Sequence, residues 1–457
     1  MHPIIVRGAM LTVAVAALAT PARPQTLPAA ATDPALAGPA VATRFTLPTG
    51  MVVLVAERPG IPIVIVRVAV EAGSVLDPPD KAGVANLTAL LLTRGTATRT
   101  ALDIDRAIEF VGGSLEGEGG RDTSELTLSV LRKDLSLGLD LLADSLVRPV
   151  FPDAEFERNR DEVRAALQRS EEDPGTVAAR TLRRLVFPTH PYGRPVEGTE
   201  ASLGAMTPAD VVAFHRAAYR PERTIVAVAG DVRAAEVRAE LEARLGGWLA
   251  STRAPDGPGP ASLGLPSRTE TVQRSLTQAT ILLGQATVTR AHPDFYPLLV
   301  ASQVIGGGSS SRLYTRIREE RGLAYNVYAQ YATSRYAGYF LVELQCEKGR
   351  IREALALVRE ELIRLRRERV TEEEVARARS YLVGSFPLRM GTVADVTDLL
   401  IGIERFGLGL DYPTRFRQAV QAVTADDVLR AVRSHWDADA MSLALVGNLR
   451  DAGIGSP

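Results

Sequence analysis

The chain predicts an α+β fold built from two related halves, and three features carry that expectation. The first is an internal repeat. Met206–Tyr219 reads MTPADVVAFHRAAY and Val423–Trp436 reads VTADDVLRAVRSHW. Each block is followed by an apolar run that closes on a glycine, TIVAVAGDV at 224–232 and MSLALVGNL at 441–449. Upstream, FPDAEFERNRDEV at 151–163 matches VTEEEVARARSYL at 370–382. The offsets are nearly constant, 217 residues (206 to 423) and 219 residues (151 to 370). A period this long marks a duplicated domain rather than a solenoid repeat. The second feature is a mixture of long strand and helix patterns that do not alternate regularly, which points to helices packed on one face of each sheet. The third is the Pro/Gly/Ser stretch STRAPDGPGPASLGLPS at 251–267, which reads as a linker between the halves.

Along the chain, the N-terminus MHPIIVRGAMLTVAVAALATPARPQ places Arg7 before an apolar run, Ala9–Leu18, and small residues at Thr20-Pro21-Ala22. This is a secretory signal pattern over 1–22, too short for a spanning helix, with an uncleaved interfacial anchor as the alternative. Residues 23–43 form an Ala/Pro-rich leader. The protein is therefore expected to be exported, to the periplasm of a Gram-negative host, with no membrane span once the signal is removed. A first domain is expected at 44–250 and a second at 268–455. In the first, β-branched runs at 51–56 and 61–71 are split by Pro59-Gly60 and read as strands. Residues 87–92 form an apolar helix core, 124–131 alternate as a strand, and 136–147 and 153–170 keep helical spacing.

The totals narrow the function classes. A length of 457 residues suits two or more domains. Hydrophobic residues make up 46% and charged residues 23%, as in a globular protein. A net charge of −1 argues against nucleic acid or an anionic membrane as partner, since both call for a basic surface. The single cysteine, Cys346, rules out an intrachain disulfide. It reads as a small buried residue near a strand end, or, in an exported chain, as a thiol able to pair between chains.

Residues 72–96 read AGSVLDPPDKAGVANLTALLLTRGT. The stretch resembles the first-helix signature of the M16 (insulinase/pitrilysin-like) peptidases, G-S-x(8)-G-x-A-H-x-x-E-H-x-x-x-x-G-T. On that frame the two zinc-binding histidines fall on Asn86 and Leu90, and the glutamate base falls on Ala89. A helix carrying a peptidase zinc needs two imidazoles at i and i+4 and a carboxylate to activate water. The family's remaining ligand is a glutamate in a frame like F-E-R-x(6)-E-E-I-x(3)-E-D-x-P. Here Phe156–Pro174 is FERNRDEVRAALQRSEEDP, and the two glutamate positions are Ala165 and Ala166. The frame residues Glu157-Arg158, Glu171 and Pro174 remain. The histidine count agrees. The five are His2, His190, His215, His292 and His435, none between 3 and 189 and no two spaced by four. A site assembled from His190, His215 and a carboxylate is disfavoured. His190, within HPYGRPVEGT, reads as a turn-shaping residue, and His215 as a surface or capped helix residue.

Ile305–Tyr325 reads IGGGSSSRLYTRIREERGLAY. Ser309–Ser311 offer N-cap groups, a helix is expected over 312–321, and Gly322 is placed to end it. No lysine follows the glycines, which excludes a phosphate loop. The segment resembles the M16 motif G-G-G-x-S-S-R-L-x-x-x-[IL]-R-E-x-x-G-L-A-Y, whose arginine and tyrosine reach the substrate backbone beside the zinc of an opposing domain. The resemblance assigns that pair to Arg318 and Tyr325 and leaves Arg312 a structural role. The chemistry is sensible, since a guanidinium forks N–H donors toward carbonyls and a phenol can donate to a developing oxyanion. The basic run 364–369 reads as a solvated helix face with intrahelical pairing, or alternatively a docking patch.

The resemblance, over residues 44–450, implies two α+β domains forming half of a clam-shell chamber. It also implies a chain of the M16B type that binds no zinc itself, lacking catalytic residues at Asn86, Ala89, Leu90 and Ala166 while keeping Arg318 and Tyr325 for an extended peptide substrate. The expected partner is a second M16 subunit bearing HxxEH and the zinc. A non-enzymatic scaffold or peptide-binding protein of the same fold is the alternative. An autonomous zinc peptidase would require a ligand set absent from the expected positions.

Overall fold

The computed structural model describes residues 41–249 and 255–448. The expected signal segment, nearly all of the leader, and residues 250–254 and 449–457 lie outside them. The first half contains β1 (Thr43–Thr46), β2 (Val52–Glu57), β3 (Ile63–Val70), α1 (Val84–Leu91), α2 (Ala101–Phe110), β4 (Ser114–Gly119), β5 (Ser124–Leu131), α3 (Leu135–Val147), α4 (Asp153–Ser170), α5 (Pro174–Val186), α6 (Glu200–Gly204), α7 (Pro208–Ala218), β6 (Thr224–Gly230) and α8 (Ala234–Leu245). The second contains β7 (Thr269–Gln273), β8 (Gln278–Thr287), α9 (Phe295–Gly306), β9 (Ala324–Thr333), β10 (Gly338–Glu347), α10 (Ile351–Arg367), α11 (Glu372–Ser385), α12 (Val393–Arg405), α13 (Tyr412–Ala422), α14 (Ala425–His435) and β11 (Ser442–Gly447).

The repeat in the sequence is a repeat in topology. One sheet runs β1-β2-β6-β3-β5-β4 and the other β7-β11-β8-β10-β9. In each, the first strand after the entry pairs parallel with the last strand, β2 with β6 and β7 with β11, and the remaining pairs are antiparallel. The edge strands β4 and β9 are thus equivalent positions. Helices α7 and α14 both start from a Thr-capped turn in which an Asp three residues on returns the bond, at Thr207/Asp210 and Thr424/Asp427. This reciprocal capping satisfies two donors at the start of each helix.

One expectation is corrected. Helices do not lie on one face of each sheet only. The inner faces carry the two large cores, one around Leu54's neighbours Val53 and Val55 with α1, α3, α7 and α8, the other around β8, β10, α9, α10 and α14. On the opposite faces the halves exchange cover. Helix α5 of the first half lays Ala178, Leu182 and Val186 against Leu282, Ala286, Ala444 and Val446 of the second sheet. Helix α12 of the second half lays Val396, Leu400 and Ile401 against Leu54, Ala69, Ala227 and Ala229 of the first. The two helices are 13 residues each and start 219 positions apart (174 to 393). Accordingly, β6 and β11 are buried along their whole length on both faces.

A polar seam joins the halves beside this exchange. The Tyr192 hydroxyl donates to Asp122 Oδ1 at 2.6 Å and accepts from Tyr336 N at 3.2 Å. Arg335 N donates to Asp122 Oδ2 at 3.3 Å, and Arg405, at the end of α12, lies 3.7 Å from the same oxygen. Residues of the linker stretch are anchored here too. Ala261 is buried and donates to Tyr336 O at 3.0 Å, and the Gly259 carbonyl meets His190 Nε2 at 3.2 Å. Among the described residues no helix is long and apolar enough to cross a membrane.

Candidate functional site

Helix α1 starts where Gly83, at φ +96°, turns the chain, and Asp77 accepts from Gly83 N at 2.7 Å and Ala85 N at 3.0 Å. The helix lies hard against edge strand β4. A side chain at Gly117 would place its Cβ 2.0 Å from the Ala89 carbonyl oxygen, and one at Gly119 would come 2.3 Å from Asn86 Cα. Glycine at both positions permits this approach. Asn86 is therefore buried with its amide oxygen toward Gly119, Ala89 is fully buried, and Leu90 packs at the rim of the core. Helix α4 packs beside α1, and on it Ala165 is half-buried and Ala166 exposed.

A zinc ion does not fit this face. The four positions supply one amide oxygen and otherwise only methyl and isobutyl groups, where zinc takes imidazole, thiolate or carboxylate donors. Among the described residues, a trio of His, Asp or Glu groups close enough to share an ion occurs at His292, Asp294 and His435, on the second half, and not here. No catalytic step is assigned to α1.

The second constellation is built differently from the expected helix. Residues Tyr314–Glu319 form a π-helical turn in which Glu320 N bonds to Thr315 O, followed by Gly322 at φ +59° and entry into β9. Bonds that skip five residues widen the turn, and such turns recur at functional sites. Four arginines leave this segment and three are committed. Arg312 forks onto both oxygens of Glu374 at 2.6 and 2.8 Å, the structural role expected of it. Arg316 meets Glu320 and Glu360 at 3.2 Å, and Arg321 lies 3.6 Å from Glu353. Arg318 has no carboxylate partner among the described residues. Its guanidinium lies between two rings instead, 4.5 Å from the centre of Tyr325 and 4.9 Å from that of Tyr314. Stacking holds a guanidinium by its faces and leaves its N–H edges open to acceptors. Tyr325 is 81% exposed, second only to Phe110 among the large apolar or aromatic side chains of the described residues. The structure thus brings Arg318 and Tyr325 together and adds Tyr314, which the sequence motif did not single out although its i, i+4 spacing to Arg318 was there to be read.

The other sequence candidates resolve as structure. His190 Nδ1 accepts from Tyr192 N at 3.1 Å and shapes a turn, as expected. His215 is half-buried and is the capped residue of the two alternatives expected of it. Its Nε2 donates to Leu146 O at 3.0 Å, it packs against Phe151 and Tyr219, and burial pushes its pKa down to about 4. Cys346 is buried in β10 beside a register shift, and burial pushes its thiol up to about 11. In the basic run, Arg364 pairs with Glu368 within its helix region, and Arg366 and Arg369 reach Asp437 and Asp426.

Comparison with known proteins gives the same frame. Residues 52–200 match the family described as Insulinase (Peptidase family M16), and residues 205–382 match the peptidase M16 inactive domain. An uncharacterized zinc protease of Mycobacterium leprae is 34% identical over 355 residues, spanning 76% of this chain and 78% of its own length. Another, of Streptomyces coelicolor, is 29% identical over 415 residues, spanning 89% and 90%. The crystal structure of a peptidase M16 inactive domain from Pseudomonas fluorescens superposes with a TM-score of 0.83 at 25% identity, covering 89% of this chain and 97% of that one. A protease from Helicobacter pylori shares the fold at a TM-score of 0.81 and 19% identity, covering 89% and 99%. Matched by family models across both halves and by a relative 34% identical over three quarters of each chain, the chain belongs to the M16 peptidase family.

Proposed function

We propose that this chain, which lacks the peptidase zinc, is the substrate-orienting subunit of a two-chain M16 endopeptidase whose other subunit carries the HxxEH helix and the catalytic metal. The observation that supports the reading most strongly is the contrast between the halves. The α1–α4 face offers no ligand set at Asn86, Ala89, Leu90 and Ala166. The second half instead keeps Arg318 stacked between Tyr314 and Tyr325 with its donor edges unspent. A stacked arginine with free N–H edges is suited to carbonyl recognition. In this reading Arg318 donates to main-chain carbonyls of an extended peptide. The Tyr325 phenol donates to the oxygen that gains charge when water attacks at the partner's zinc. Strand β9 is an edge strand, paired among the described residues with β10 alone, which suits an extended ligand laid beside it. The site of action proposed is the periplasm, on the signal pattern at 1–22.

Co-expression with an HxxEH-bearing M16 chain tests the proposal. The pair is expected to show chelator-sensitive peptidase activity that neither chain shows alone. Arg318→Ala and Tyr325→Phe are expected to lower it without dissociating the pair. Joint activity unchanged by both substitutions would remove the orienting role. Recovery of this chain in a large assembly without a zinc-bearing M16 partner would assign it a scaffold role instead.

A further inference from the structure

A cluster remote in sequence from every M16 motif is left without a role. It joins the turn before α9 to the last residue of α14. Asp294 is 5% exposed and sends one carboxylate oxygen, Oδ1, to Arg430 at 2.5 Å and the other, Oδ2, to His435 Nε2 at 2.8 Å. His292 Nδ1 lies 3.8 Å from the same Oδ2, and the two imidazoles meet edge to face with centres 4.8 Å apart. One ligating atom from each of the three residues falls within 4.8 Å of the others.

We propose that His292, Asp294 and His435 form a second-half zinc site, independent of the family's peptidase zinc, that clamps the β8–α9 turn to the end of α14. Three observations bear on it. First, Asp294 stands at the N-cap position of α9, where an aspartate ordinarily accepts from the helix's first N–H groups, yet its side chain makes no capping bond. The carboxylate is turned away from that use and toward the two histidines. Second, the donor set is two imidazoles and one carboxylate oxygen. That set suits zinc and neighbouring transition metals and is a poor match to calcium or magnesium, which take mostly oxygen. Third, neighbouring groups hold part of the donor set in place. Arg430 holds Oδ1, so that Oδ2 is the oxygen left to bind. Gln285 of β8 donates to the His435 carbonyl at 2.7 Å and accepts from Asp437 N at 2.9 Å, fixing the backbone that carries the ring.

The geometry needs a small closure. Ligand atoms around a tetrahedral zinc with bonds of about 2.0–2.1 Å sit roughly 3.3 Å apart. The 2.8 Å separation of His435 Nε2 and Asp294 Oδ2 is a hydrogen bond, about half an ångström shorter than that, and opens as the ion replaces the shared proton. His292, partly exposed on its turn, supplies the movement by exchanging its bond from Asp294 N for the metal. Three protein ligands leave a fourth position for water, toward the solvent side where His292 and Arg430 are partly exposed.

The test uses the full chain alone, stripped with chelator and titrated with Zn²⁺ by calorimetry, and with Co²⁺ by visible absorption. One equivalent is expected to bind, with the Co²⁺ ligand-field bands of a four- or five-coordinate site and a rise in melting temperature. His292→Ala, at a partly exposed turn residue, is expected to weaken binding roughly tenfold or more and to erase the bands. Asp294→Asn is expected to do the same, while Asn86→Ala leaves binding untouched. Absence of stoichiometric binding, or binding that His292→Ala and Asp294→Asn both leave intact, would overturn the proposal. Joint peptidase activity with a zinc-bearing partner is expected to survive His292→Ala, so the two proposals fail separately.

Discussion

The Tyr192 hydroxyl donates a 2.6 Å hydrogen bond to the Asp122 carboxylate, and the bond crosses toward the seam where Arg335 and Arg405 of the second half approach the same carboxylate. Burial and the adjacent carboxylate hold the Tyr192 phenol far above its ordinary pKa, so it remains a donor at any working pH. Tyr192→Phe keeps the ring packed on Phe187 and removes the hydroxyl, the donor to Asp122 and the acceptor for Tyr336 N. A hydrogen bond to a buried charge contributes about 1–3 kcal/mol. Tyr192→Phe is therefore expected to lower unfolding free energy by about that amount in a urea titration, with the urea dependence unchanged.

Helix α1 and strand β4 set a second expectation. A Cβ on residue 117 would meet the Ala89 carbonyl at 2.0 Å, which is backbone and cannot swing aside. Gly117→Ala is expected to cost about 1–3 kcal/mol through forced separation of helix and strand. Gly112→Ala, with open space at its Cβ but φ +65°, tests strain without a clash and is expected to cost less than Gly117→Ala. Thermal unfolding of the two variants side by side checks the order.

The stacking around Arg318 separates positioning from contact. Tyr314 touches the guanidinium from one side and lies outside the sequence motif's pair. Cation–π contacts at exposed sites contribute about 0.5–1 kcal/mol. Tyr314→Leu is expected to reduce kcat/KM of the joint enzyme by about two- to fivefold, chiefly through KM. Arg318→Lys, which loses the planar fork, is expected to lose more, at least tenfold. Steady-state kinetics on one peptide settles whether this ranking holds.

His215 gives the fold a pH dependence. The folded chain keeps the ring neutral down to about pH 4, because burial outweighs the bond to Leu146 O, whereas an unfolded histidine takes a proton below 6.5. Between those values unfolding absorbs a proton, so stability falls as pH drops from 6.5 to about 4. His215→Gln, which can still donate to the Leu146 carbonyl, is expected to flatten that slope. Urea midpoints at pH 7 and pH 5 for both proteins make the comparison.

Much of the architecture was legible because it follows from local pattern. The alternation in Ser124–Leu131 gave strand β5 to the residue, and the spacing in 153–170 gave helix α4. The Thr-x-x-Asp starts of α7 and α14 made the duplication visible. The exchange of α5 and α12 was missed, although its signal was present. TIVAVAG and SLALVG are apolar without alternation, which is how a strand covered on both faces reads. Nothing in the sequence says which helix supplies the second cover. At the candidate site the Arg318 and Tyr325 positions came from motif spacing. The π-turn did not, because an i−5 bonding pattern has no residue signature at Tyr314–Glu319. The His292–Asp294–His435 cluster was invisible for a plainer reason. Its members are 141 residues apart (294 to 435), and only the docking of α14 beside α9 brings them together.

The crossed helices bear on how a metal site could be lost without losing the molecule. Each sheet takes its outer apolar cover from the opposite half, so neither half is a free-standing module with a complete roof. Asn86, Ala89, Leu90 and Ala166 lie outside α5, α12 and their footprints, so substitution there leaves the exchange untouched. A damaged half cannot be exchanged for an intact one by simple cut and join, because the incoming half would also have to match a borrowed helix. A separate, whole second chain, as in the proposed function, would ask nothing of that interior.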